Sequence, residues 1–92
     1  IDGMTMDIKG NIYATAGRDE NAGIYVFSSN GKQLAFIPTT QPTNCVFGGG
    51  KERYTLYITA IMHKKQGEPT RWGLYRINLK VEGHHIFPLK SP

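Results

Sequence analysis

Apolar and polar residues alternate in short runs along this chain, and no window shows the i, i+3, i+4 apolar spacing of an amphipathic helix. Eleven glycines and five prolines separate the runs, which are rich in the β-branched and aromatic side chains that suit a pleated, half-buried surface. The pattern predicts an all-β chain with strands over residues 4–8, 11–16, 23–27, 33–38, 44–48, 55–61, 73–79 and 85–89. Asn30-Gly31 predicts a tight type I′ hairpin, because both residues tolerate positive φ, and Lys9-Gly10 and Glu82-Gly83 mark similar reversals. Strands joined this closely must pair antiparallel, since a parallel crossover needs about a dozen residues or more. The expected order is a meander.

An internal repeat organises these strands. Ile12-Tyr13-Ala14-Thr15-Ala16 matches Leu56-Tyr57-Ile58-Thr59-Ala60, and Gly23-Ile24-Tyr25-Val26-Phe27 matches Gly73-Leu74-Tyr75-Arg76-Ile77. Ile12 and Leu56 are 44 residues apart and Gly23 and Gly73 are 50 apart, which is the period of four-stranded β-propeller blades. The chain therefore divides into a first blade over residues 1–40 and a second over residues 41–92. Blades bury their faces against neighbours, and about three or more units are usually needed for stability. Partners for the two flanks are expected, either further blades or another copy of the chain. Tyr13, Tyr25, Tyr57 and Tyr75 recur at repeat positions, as residues that pack between blades would.

Composition narrows the function classes. Of 92 residues, 39% are hydrophobic and 20% charged, and no run approaches the roughly 20 apolar residues of a membrane-spanning helix. The net charge is +4, but the basic residues are scattered apart from Lys64-Lys65, whereas nucleic-acid binding needs a concentrated basic stripe. Neither nucleic acid nor membrane is an expected partner. A lone cysteine, Cys45, excludes an internal disulfide and reads as a small buried hydrophobe. The chain opens on Ile1 with no initiator methionine and no signal-peptide pattern, so a fragment is expected; the protein is expected to be soluble, with the compartment open and the cytoplasm favoured.

The order of motifs resembles the gluconolactonase, regucalcin and luciferin-regenerating enzyme family. The residues that carry the resemblance are Asp2-Gly3-Met4-Thr5-Met6-Asp7, Gly10-Asn11-Ile12-Tyr13-Ala14-Thr15-Ala16, Gly23-Ile24-Tyr25-Val26-Phe27 and Asn30-Gly31-Lys32 in the first blade. Pro42-Thr43-Asn44-Cys45-Val46-Phe47-Gly48-Gly49, Thr55-Leu56-Tyr57-Ile58-Thr59-Ala60 and Leu74-Tyr75-Arg76-Ile77 carry it in the second. The resemblance implies about two four-stranded blades of a six-bladed propeller, hydrolysis of sugar lactones or related esters, and one divalent metal ion, calcium or zinc, in the central channel. It also implies that Asp2 is a metal ligand and a catalytic base. The family's other ligands, a glutamate and a further asparagine, lie on blades this chain does not contain, and Ile1 stands where the family usually has proline.

Further candidates follow from the repeat. Asn44 aligns with Asp2 ahead of an inner strand, which would turn it toward the same channel as a substrate contact, or else leave it as a loop-capping amide. The connection over residues 61–72 is longer than its counterpart over 17–22 and lies at the same end of the sheet as Asp2. Its Met62, His63, Lys64, Arg71 and Trp72 could rim a polar substrate, with His63, Arg71 and Trp72 the chosen binding residues, or could be a solvated insertion. Adjacent His84 and His85 would point to opposite faces of a strand and could not chelate one ion together.

Overall fold

The computed structural model describes residues 2–62 and 66–84. Among the described residues seven strands form: β1 (Met4–Met6), β2 (Ile12–Ala16), β3 (Gly23–Phe27), β4 (Gln33–Pro38), β5 (Gln41–Phe47), β6 (Thr55–Ile61) and β7 (Trp72–Asn78). The first four make one antiparallel sheet in sequence order and the last three make a second, so the meander is as expected. The anticipated eighth strand, residues 85–89, lies outside the described residues, as do Ile1, His63, Lys64 and Lys65. The only helical pieces among the described residues are single 3₁₀ turns at Asp19–Asn21 and Gly50–Glu52.

Three local details differ from the sequence reading. Asn30 does not take the left-handed conformation that a type I′ turn requires; Gly31 alone does, at φ 89°. Gly31 N–H donates to Ser28 O and Ser28 N–H to Lys32 O, a type I turn followed by a left-handed glycine. The same bonds link Gly10 to Asp7 and Asp7 to Asn11, with Gly10 at φ 83°. Strand β5 begins at Gln41, earlier than expected, because a bulge between Pro42 and Asn44 lets the proline sit in the strand without its missing N–H breaking the ladder. Finally, Gly83 does not make a reversal but bridges to Asp7 in extended pairing, where a Cβ would collide with Phe47 Cβ.

The core lies between the sheets. Period-2 alternation turns Tyr13, Ile24 and Val26 of the first sheet toward Cys45, Phe47, Leu56 and Ile58 of the second. Tyr13 and Phe47 meet edge to face with ring centroids 5.2 Å apart, and the Cys45 thiol donates to Tyr13 O at 3.6 Å. The segment after β7 then ties the sheets together at one end, with Ile8 N–H donating to Glu82 O at 2.9 Å and His84 N–H to Met6 O at 2.8 Å. Repeat positions thus become the two faces of one interface, the arrangement expected of adjacent blades.

Candidate active site

Asp2 sits just ahead of β1 with its side chain exposed. Its backbone is held by the neighbouring strand: Asp2 N–H donates to Thr15 O at 3.3 Å and Thr15 N–H to Gly3 O at 2.9 Å. The buried Thr15 hydroxyl closes the clamp, accepting from Gly3 N–H at 2.8 Å and facing Gly3 O at 3.2 Å. Among the described residues the Asp2 carboxylate has no hydrogen-bond or ion-pair partner. A fixed backbone with an uncommitted carboxylate is what a ligand or base position requires.

Asn44 comes to the same place by a different register from the one the repeat suggested. Asn44 pairs with Thr59, and Thr15, the repeat equivalent of Thr59, pairs with Gly3. Asn44 is therefore equivalent to Gly3, and Asp2 corresponds to the Pro42–Thr43 bulge. The two segments still touch, since a Cβ on Gly3 would clash with the side-chain oxygen of Asn44 and lie 2.9 Å from its Cα. Asn44 Oδ1 accepts from Cys45 N–H at 2.8 Å, which leaves the amide NH₂ as the donor available for a ligand. Thr43 bonds Thr59 at 3.0 Å and steadies the bulge.

Arg71 and Trp72 are exposed at the same end of the second sheet, where Met62 N–H donates to Arg71 O at 2.9 Å and Trp72 pairs with Ile61. Trp72 opens β7, so the connection spans residues 62–71. Strands stand about 4.8 Å apart, which puts β7 about 10 Å out from β5. Trp72 thus lies two strands away from β5, the strand that carries Asn44. His63 lies outside the described residues.

Asp7 is a functional group of another kind that the site reading passed over. It is fully buried, and its carboxylate accepts from Lys9 N–H at 2.8 Å, Asn11 N–H at 3.0 Å, the Asn11 amide at 3.0 Å and Tyr13 O–H at 2.9 Å. Burial works to raise its pKa, but the hydrogen bonds from Asn11, Tyr13 and Lys9 outweigh it and hold the carboxyl below its ordinary value. Burial, and then the facing carboxylate, push the Tyr13 hydroxyl well up. The signal in the sequence was the spacing Asp7-x-x-Gly10-Asn11, an Asx-type turn. With every oxygen lone pair committed inward, Asp7 stabilises the hairpin and is not placed to meet substrate.

Cys45 is buried, and burial pushes its thiol up to about 11. Its alkylation by iodoacetamide at pH 8 is expected to run about two orders of magnitude slower than that of a free thiol, measured by mass spectrometry with and without urea. Labelling at the free-thiol rate in the folded protein would contradict that burial.

Among the described residues no three of His, Cys, Asp and Glu come together as a metal cluster, and no helix is long and apolar enough to cross a membrane. A depression of about 190 Å³ lined by Asn44, Val46, Tyr57, Thr59 and Leu74 borders the site. A larger cleft of about 320 Å³, lined chiefly by Ile37, Pro38, Ile58 and Ile77, opens between the sheets away from Asp2. The family model described as SMP-30/gluconolactonase/LRE-like region matches residues 1–62. No curated protein and no solved structure matches the chain significantly.

Proposed function

The chain belongs to the SMP-30/gluconolactonase/LRE-like family of β-propellers, and on that premise we propose that Asp2 is its contribution to the metal-binding catalytic site of a hydrolase acting on sugar lactones or related esters. The observation that carries the reading is the exposed, unpartnered Asp2 carboxylate on a backbone clamped by Thr15 and packed beside Asn44. The matched region includes both Asp2 and Asn44.

The donor set suits a hard divalent cation, calcium or zinc, but only in part. Asp2 supplies one carboxylate, whereas calcium takes about six to eight oxygen ligands, so most of the donors would be water or groups other than the described residues' carboxylates. A bound ion would polarise the lactone carbonyl and lower the pKa of the attacking water. Asp2 would orient that water and accept its proton as the oxygen adds to the carbonyl carbon. The ring C–O bond then breaks, and the proton passes to the departing alkoxide, giving the open hydroxy acid. The Asn44 amide would donate to a substrate oxygen. Arg71 and Trp72, with His63, would meet the outer end of a sugar, where a cation and an aromatic face suit hydroxyls and developing negative charge.

Turnover of a sugar lactone by the protein carrying this sequence, followed as acid release, is the direct test. Activity should vanish with a chelator and return with calcium or zinc. Metal-saturated protein that binds a lactone but releases no acid would instead identify a binding propeller without catalysis.

A further inference from the structure

In a hydrogen-bonded pair of an antiparallel ladder, each N–H meets the other residue's carbonyl. Gly3 and Thr15 show half of that exchange, Thr15 N–H donating to Gly3 O at 2.9 Å. The other half is diverted. Gly3 N–H donates to the Thr15 hydroxyl at 2.8 Å, and Thr15 O accepts from Asp2 N–H at 3.3 Å instead. Asp2 and Gly3 thus both stand opposite Thr15, the two-against-one geometry of a bulge, and regular pairing begins only at Met4 with Ala14.

The repeat carries the same device. In the second sheet the ladder skips Thr43, between Pro42 opposite Ala60 and Asn44 opposite Thr59. Asn44 is equivalent to Gly3, so Thr43 is equivalent to Asp2, and the Thr59 hydroxyl sits at this bulge as the Thr15 hydroxyl sits at the other, 3.0 Å from the Thr43 hydroxyl and 3.4 Å from Asn44 O. Packing alone does not call for threonine here. Thr15 is 0% exposed and pairs with Ile24, a place where valine would fill the same shape, and a buried hydroxyl is costly unless it is bonded. Its side-chain bonds among the described residues all go to Gly3. From the other sheet Asn44 packs on Gly3 so closely that a Cβ would not fit, so the bulge is held on both sides.

We propose that Thr15 is a positioning residue for the catalytic site. Its hydroxyl takes the Gly3 N–H, which leaves Thr15 O for Asp2 N–H, and the bulge held in this way keeps Asp2 out of the ladder with its carboxylate uncommitted. Bulges beside active sites re-aim single side chains in this manner. Thr15 itself is buried and meets neither substrate nor ion. Without the hydroxyl, Gly3 N–H and Asp2 N–H would compete for Thr15 O, and a reacting group displaced by about 1 Å can cost about a hundredfold in rate. The inference rests on the reading of Asp2 as ligand and base.

The test compares Thr15→Val, which keeps the branched shape without the hydroxyl, with Thr15→Ser, which keeps the hydroxyl without the methyl, in the metal-loaded protein carrying this sequence and with Asp2→Ala in parallel. Thr15→Val should lower kcat about tenfold or more at unchanged KM, the size of loss that follows removal of a ligand's own holding partner. Thr15→Ser should recover most of that loss. A threonine that only packs would give the reverse order, since serine opens a cavity and valine does not. Hydrogen exchange of the metal-free protein reads the bulge without turnover: in Thr15→Val alone, the amide of Asp2 or of Gly3 should exchange about tenfold or more faster for want of an acceptor. Wild-type kcat in Thr15→Val, or a serine variant as slow as the valine one, overturns the inference, and an inactive Asp2→Ala then still leaves Asp2 in the site. Full turnover in Asp2→Ala overturns the reading of Asp2 and the role of Thr15 with it. Exchange of Gly3 N–H in the wild-type protein at the rate of a free peptide amide overturns the inference whatever the variants do.

Discussion

Replacing Asp7 with alanine is expected to lower stability by about 3 kcal/mol, because the buried Tyr13 hydroxyl and three N–H donors lose an ionised acceptor together. Urea or thermal unfolding measures it, and a loss below about 0.5 kcal/mol, the size of an ordinary surface change, would show that the network contributes little. The same carboxylate makes the fold acid-sensitive. Its folded pKa lies below the unfolded value, so its contribution is fully present above about pH 4, the unfolded carboxyl range, and is lost as pH falls through the lower folded value. Asp7→Asn keeps part of the turn bonding without the titrating charge. Its stability should therefore vary less with pH below about 4 than that of the wild type, and parallel acid curves would remove Asp7 from the account.

Asp2→Ala should have the opposite profile. The side chain is exposed and unpartnered among the described residues, so the unfolding midpoint should stay where it is, while lactone turnover in the metal-loaded protein falls about a hundredfold or more. Asp2→Asn, which retains an oxygen ligand without the charge or the basicity, should bind metal more weakly and remain nearly inactive. Full turnover in Asp2→Ala would take the residue out of the catalytic site. On these expected outcomes Asp2 and Asp7, five residues apart in the sequence, would separate into an activity role and a stability role.

That division shows how far the sequence could be read. Alternation of apolar residues and the placement of glycines are local properties, and they located all seven described strands to within a few residues. The repeat disclosed the blades because Tyr13 and Tyr57, or Gly23 and Gly73, answer the same local packing demand in each sheet. The alignment of Asn44 with Asp2 was one residue out because the turn between the pair Phe47–Leu56 is three residues longer than that between Met6 and Ile12, and the repeat alone does not show how many of those residues are paired. The roles of Gly3 and Gly83 were likewise hidden: each is glycine because a residue about 40 positions away, Asn44 or Phe47, stands where a Cβ would be.

The sequence by itself determined the all-β class, the meander, the internal repeat and the family, and it offered Asp2 as the candidate ligand. Only the tertiary structure decided that Thr15 clamps the Asp2 backbone, that Asn44 packs on Gly3 and uses its own oxygen on Cys45, that Asp7 is a buried anchor, and that Trp72 opens β7 opposite Ile61. The physical reason is the range of the interactions involved. Strand periodicity and turn conformation arise from φ/ψ and neighbouring side chains, and are written in consecutive residues. Which side chain meets which across two sheets depends on register, bulges and volume, set when distant segments close on one another.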